Sequence, residues 1–341
     1  MLKLCYNNKK GGIKMDKIIV WTFDDLELEK RMTGPVNQTL NLINTELSIN
    51  LMHIPNQLIS NEENDNLEIV KVLLQVVSKL SLSGVDFSDR DLVHVIHVLK
   101  SSDNLEVSSN EILEFYKKKI LILHTADGKR IYAKTLMQKR YLELLESSSI
   151  LFVTGSAGTG KTYLAVAYAV SKLKKNEIKK IIITRPAVEA GEKLGFLPGD
   201  LKEKVDPYLV PIYDALNEFL GKETVDKLVE KGVVEIAPLA YMRGRTLDHA
   251  VIILDEAQNT TNNQMKMFIT RLGFNSKMII TGDLSQIDLQ KGLTSGLLEA
   301  TRILKGIKGI EHLHFSKYDV MRHPLVTKVI EKYEEVENDS L

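Results

Sequence analysis

Residues 152–170 read FVTGSAGTGKTYLAVAYAV: a short apolar run enters a cluster of glycines and leaves as a helix-period pattern. Within it Gly155, Ser156, Ala157, Gly158, Thr159, Gly160, Lys161 and Thr162 fit G-x-x-x-x-G-K-[ST] at every fixed position. Glycines let the backbone turn so that successive N–H groups face phosphate oxygens. The helix starting near Gly160 adds the partial positive charge of its N-terminus. Lys161 is then placed to reach the β- and γ-phosphates of a nucleotide, and Thr162 to coordinate Mg²⁺. An ordinary glycine turn uses the same residue types. The order of strand, loop and helix decides for the phosphate site.

Such a site needs a carboxylate at the end of a second strand, and VIILDEAQN (251–259) offers Asp255 and Glu256 after four apolar residues. Asp255 is assigned to the metal through water, and Glu256 to orienting and deprotonating the attacking water. A third strand end, MIITGDLSQ (278–286), carries Asp283 and Gln286, which either sense the γ-phosphate or form a plain turn. A small-molecule kinase must exclude water, whereas a hydrolase needs a base beside one, so Glu256 favours hydrolysis. A GTP switch needs an Asn-Lys-x-Asp base reader. Glu203-Lys204-Val205-Asp206 lacks the asparagine and follows no strand.

Around this core the text alternates. ILFVT (150–154), KIIIT (180–184), VVEIA (233–237), VIIL (251–254), MIIT (278–281) and HLHF (312–315) read as strands with little polar alternation, as expected when both faces are covered. Helical patterns lie between most of them, which predicts an α/β fold with a doubly wound parallel sheet. The domains expected are a leader (1–17), a small α+β domain (18–100), a linker (101–118), the ATPase domain (119–333) and an acidic tail (334–341). In the α+β domain, IIVWTF (18–23) and residues 49–54 read as strands, and 35–47, 67–80 and 89–99 as helices, the last capped by Ser88 or Asp89. LILHTADGKRIYAK (121–134) reads as a hairpin with Asp127-Gly128 at its turn. His94 and His97 share a helix face, but no third ligand stands at a suitable spacing; a surface pair is expected, not a metal site.

Composition bounds the rest. In 341 residues the 45 basic and 45 acidic side chains cancel, so a nucleic-acid partner would need a local basic surface. The lone Cys5 excludes a disulfide framework and a cysteine metal cluster. No apolar run approaches the roughly 18 residues of a membrane span, and the chain is expected to be cytoplasmic, with no membrane partner.

Three long stretches go beyond generic phosphate-loop logic: ITRPAVEAGEKLGFLPGDLKEKVDPYLVPIYDAL (183–216), APLAYMRGRTLDHAVIILDEAQNTTNNQMKMFITRLGFNSKMIITGDLSQIDL (237–289) and DVMRHPLV (319–326). They resemble the PhoH family of ATPases, and the likeness spans nearly all of residues 120–333. Ser156 and Gln290 stand where the family often has proline, at positions with no required polar role. The resemblance implies a RecA-like core related to superfamily one helicases, with Asp283 to Gln286 as the sensor. It implies ATP and Mg²⁺ as ligands, an adenine contact from Gln138, and a contact of Arg185 with nucleic acid or phosphates. Arg243, Arg245 and Arg322 become candidates for an arginine that stabilises charge on the γ-phosphate, one able to act from a neighbouring subunit of a ring. RNA, a YbeY-type endoribonuclease or a ribosomal particle are the partners implied. The first domain resembles a KH-like module, whose G-x-x-G loop is here Gly34-Pro-Val-Asn37. Its asparagine and its proline leave RNA gripping open beside a structural role. An RNA-directed ATPase is the leading reading. A slow ATP-dependent assembly switch that docks a nuclease or ribosomal particle is the alternative, and a P-loop kinase is the lesser one.

Overall fold

Backbone contacts divide the chain into two units, Met1–Lys118 and Lys119–Leu341, each with its own sheet. The computed structural model describes residues 17–85, 87–186, 201–290, 292–316, 319–321 and 329, with backbone alone for 90 and 201–208. The leader up to residue 16, Arg322 and the acidic tail at 334–341 lie outside the described residues.

The first unit runs β1 (Ile18–Thr22), α1 (Leu26–Thr33), a 3-10 turn (Pro35–Asn37), α2 (Gln38–Leu47), β2 (Leu51–Ile54), β3 (Gln57–Ser60), α3 (Asn66–Leu82), α4 (Asp89–Lys100) and α5 (Leu105–Lys117). Its strands pair antiparallel in the order β1-β3-β2. Helix α2 buries Leu40, Ile43 and Leu47, the stripe its sequence spacing predicts. Helix α4 starts at a reciprocal cap in which Ser88 and Asp91 satisfy each other's backbone N–H. Two expectations need correction. The stretch 101–118, expected as a linker, contains helix α5, which packs on α3. Its polar text conceals an N-cap, with the Asn104 side chain accepting from Glu106 and Val107 N–H, and a narrow stripe of buried Ile112, Leu113 and Phe115. Nor are the two histidines of α4 a surface pair: His94 is buried, and His97 Nε2 lies 2.8 Å from Glu46 Oε2.

The second unit opens with the expected hairpin, β4 (Leu121–His124) and β5 (Arg130–Tyr132), whose turn carries Gly128 at positive φ. It continues with α6 (Leu136–Ser147), β6 (Ile150–Gly155), α7 (Lys161–Lys174), β7 (Lys180–Arg185), α8 (Leu201–Leu220), α9 (Lys222–Glu230), β8 (Val234–Pro238), β9 (Ala250–Leu254), α10 (Asn262–Ile269), β10 (Lys277–Gly282), α11 (Gly296–Ile303) and β11 (Ile310–Phe315). All six runs read as strands from the sequence pair in one parallel sheet of order β11-β6-β10-β9-β7-β8.

The sheet explains why those runs hardly alternate. Leu151, Val153, Ile181, Ile183, Val251 and Ile253 face one core, packed with residues of α6, α7 and α8. Ile150, Phe152, Ile182, Ile252, Leu254 and Met278 face the other, packed with α10 and α11. Residues of both parities are therefore buried, each isoleucine or leucine contributing about 1.5–3 kcal/mol relative to exposure. Among the described residues no helix is long and apolar enough to cross a membrane.

Candidate nucleotide site

The decisive feature of the strand order is that β10 lies between β6, which feeds the glycine loop, and β9, which ends at Asp255. All three strands are parallel, so their C-terminal ends open at one edge of the sheet. Brought there together are the loop, the carboxylate pair and the polar turn after β10. A cleft of about 360 Å³ is lined by Gly158, Lys161, Thr162, Asp255, Glu256 and Gln286, among others.

Gly155, Gly158 and Gly160 all hold positive φ, at 136°, 86° and 86°. At Gly155 a side chain would also collide with the Phe315 carbonyl, so glycine is required there twice over. The loop is braced from several sides. Lys161 Nζ donates to the Gly155 and Ser156 carbonyls at 2.6 and 2.9 Å. Thr159 Oγ1 donates to Ser156 O at 3.1 Å. Ala157 N–H donates to Asp283 Oδ2 at 3.1 Å, and Met321 N–H to Gly158 O at 2.8 Å. Tyr141 donates its hydroxyl to Lys161 O at 3.2 Å. Burial, and then the charge of Asp255, push that phenol well above its ordinary range, which keeps it a donor.

Thr162 Oγ1 donates to Asp255 Oδ1 at 2.7 Å, and Thr281 on β10 donates to the same oxygen at 2.8 Å. Glu256 follows in the left-handed region, φ 53°, at the head of a 3-10 turn over Ala257–Asn259. Its Oε1 receives Arg185 Nη2 at 2.6 Å, and its Oε2 receives Gln258 Nε2 at 2.6 Å. Arg185 also lies 3.6 Å from Asp255 Oδ2. A hydroxyl and a carboxylate form a hard-oxygen set of the kind Mg²⁺ takes, with phosphate oxygens and water completing its shell. Among the described residues no cluster of three or more His, Cys, Asp or Glu could hold a metal.

Several expected residues land elsewhere. Gln138 is buried: its Oε1 accepts from Lys134 N–H at 2.8 Å and its Nε2 donates to Thr159 O at 3.2 Å. Its amide braces the loop rather than standing free for adenine. Arg185, at the C-terminal end of β7, meets the carboxylates of the site. Arg245 grips both oxygens of Glu235 at 2.5 and 2.7 Å and holds that carboxyl below its ordinary range. Arg243 is exposed, and β8, the strand preceding both, is the edge strand four places from β6. At about 4.8 Å per strand, neither converges with the loop of its own chain. Gln286 lines the cleft as expected. Gln258 and Thr281 were not singled out in advance. Thr281 had a signal, as the polar last letter of an apolar strand.

A family profile described as "PhoH-like protein" matches residues 130–334. A PhoH-like protein of Bacillus subtilis is 50% identical over 303 residues, covering 88% of this chain and 92% of the relative. One of Synechocystis is 48% identical over 271 residues, 80% of each chain. Protein PhoH of Escherichia coli is 45% identical over 209 residues, 61% of this chain and 59% of that one. Among solved structures, the Pif1 helicase from Candida albicans aligns over 55% of this chain and 40% of its own, with TM-score 0.30 and 15% identity. That overlap is loose, and the strand order itself carries the fold.

Proposed function

The chain belongs to the PhoH family, and from that premise we propose a Mg²⁺-dependent ATPase that acts in RNA metabolism, in rRNA maturation or RNA decay. The observation that carries the reading is the meeting of Thr162 and Asp255 across an intervening strand, beside a glycine loop with Lys161. The loop amides and Lys161 bind the phosphates. Bound between Thr162, Asp255 and the phosphates, Mg²⁺ would supply charge neutralisation. Glu256 orients a water and takes its proton as the water oxygen bonds the γ-phosphorus. The bond to the bridging oxygen breaks, and ADP and phosphate leave. Gln286, at the strand end facing the cleft, reports on the γ-phosphate.

RNA is the proposed macromolecular ligand. The strand-helix-helix-strand-strand-helix order of the first unit supports this, because it places the Gly34–Asn37 turn between two helices as in an RNA-gripping module. A homo-oligomeric ring, and a YbeY-type endoribonuclease or ribosomal particle as partner, complete the proposal in the cytoplasm.

One observation favours the slower reading, an assembly switch: both oxygens of Glu256 are held, one of them by a cation. A base so engaged turns over slowly until Arg185 is drawn away. Phosphate release from ATP with and without single-stranded RNA separates the two. Stimulation by RNA supports the RNA-directed enzyme; turnover indifferent to RNA supports the switch.

A further inference from the structure

Gln258 is 1% exposed, yet its amide joins two parts of the site. Its Nε2 donates to Glu256 Oε2 at 2.6 Å, and its Oε1 accepts from Asp283 N–H at 3.0 Å. The second bond settles the orientation of the amide. A backbone N–H can only donate, so the carbonyl oxygen must face Asp283 and the NH₂ must face the carboxylate. Asp283 in turn accepts from the loop, at Ala157 N–H. A continuous hydrogen-bonded chain therefore runs from Glu256 through Gln258 and Asp283 to the phosphate loop.

Two further features show that the fold makes room for this link. A Cβ on Gly282 would lie 2.8 Å from Gln258 Oε1 and 2.5 Å from Leu297 Cδ2, so any larger residue there would displace the amide. Glu256 itself sits in the left-handed region at φ 53°, which is unfavourable for a residue other than glycine. A carboxylate on so unfavourable a backbone gains definition from a rigid neighbour two residues on.

We propose that Gln258 is the positioning residue of the general base: it fixes the direction of the Glu256 carboxylate and ties it to the loop that holds the γ-phosphate. The proposal rests on the hydrolase reading of Glu256. Arg185, 18% exposed at its side chain, is the releasable partner of Glu256, and Gln258 is the fixed one.

The test compares Gln258→Met and Gln258→Glu in the full chain, each alone and combined with Glu256→Gln. Steady-state and single-turnover hydrolysis, ATP binding and thermal melting are followed. Methionine removes both bonds at similar volume. Glutamate keeps the acceptor for Asp283 N–H but sets an oxygen against the Glu256 carboxylate. The two either repel or share one proton, and the base is lost either way, so this variant remains informative if the methionine variant folds poorly. A misdirected base costs about 10- to 100-fold in kcat. We expect that loss in both variants with KM for ATP within about twofold, and no further loss in the Glu256→Gln background, where the base is already gone. Additive losses in that background, or a raised KM with kcat kept, would overturn the proposal. If Glu256→Gln is inactive and both Gln258 variants keep full kcat, positioning alone falls. Should Glu256→Gln hydrolyse at the wild-type rate, the hydrolase reading falls with it.

Discussion

Two loops in this chain lead into the N-terminus of a helix, and they meet the same backbone demand in opposite ways. In the phosphate loop the positive-φ positions are Gly155, Gly158 and Gly160, and the backbone is tied to Lys161 and Asp283. At the turn before α2 they are Gly34, Val36 and Asn37, and the Val36 side chain is 97% exposed. Glycine is used where a ligand or a strand must come within contact distance of the backbone. At exposed Val36 and Asn37 side chains persist, at a cost of about 1–2 kcal/mol each, less for asparagine than for a β-branched valine. At Gly34, by contrast, a Cβ would meet Thr39 and glycine is kept. The first loop is built to be approached by phosphate through its backbone. The second presents side chains, so a ligand there would meet Val36 and Asn37 before any N–H.

That contrast can be broken by substitution. Lys161→Ala removes the ammonium from the braced loop and should weaken ATP binding about 100-fold or more, as measured by titration with a fluorescent analogue; unchanged affinity would end the phosphate assignment. Gln138→Leu tests whether the buried amide supports the loop or reads the base. It leaves Lys134 N–H and Thr159 C=O without their partner, so stability should fall by about 1–3 kcal/mol in chemical denaturation. If stability is unchanged while selectivity for adenine over guanine is lost, base reading is restored. In the open turn the effects are smaller and of opposite sign. Gly34→Ala sets a Cβ against Thr39 at φ 70° and should destabilise by at least about 1 kcal/mol. Val36→Gly relieves a strained position and should stabilise by up to about 1 kcal/mol. Equal behaviour of these two variants would erase the distinction between the loops.

The half with the candidate nucleotide site was largely legible because its physics is local. Six apolar, β-branched runs announced a covered sheet, and fixed spacing announced the loop. What the sequence hid depended on distance or on polar disguise. That β10 sits between β6 and β9 is a matter of strand order, set by long-range pairing, and it brings Thr162 to Asp255. The resemblance points Gln138 at adenine, and its bond to Thr159, 21 residues away in sequence, is visible only in the fold. Gln258 stood in plain view two residues after Glu256, but its other partner is 25 residues away. Helix α1 went unread because LELEKRMT is crowded with charge, though Leu28 and Met32 are buried. Strand β3 went unread because it is four residues long and follows a tight turn at Asn56, φ 64°.

The most direct measurement is phosphate release from ATP by wild type and Glu256→Gln, with Mg²⁺, in the presence and absence of single-stranded RNA. Turnover that falls roughly 10²- to 10⁴-fold in the variant while ATP still binds, and that RNA raises in the wild type alone, is the predicted result. Full turnover by Glu256→Gln would contradict it.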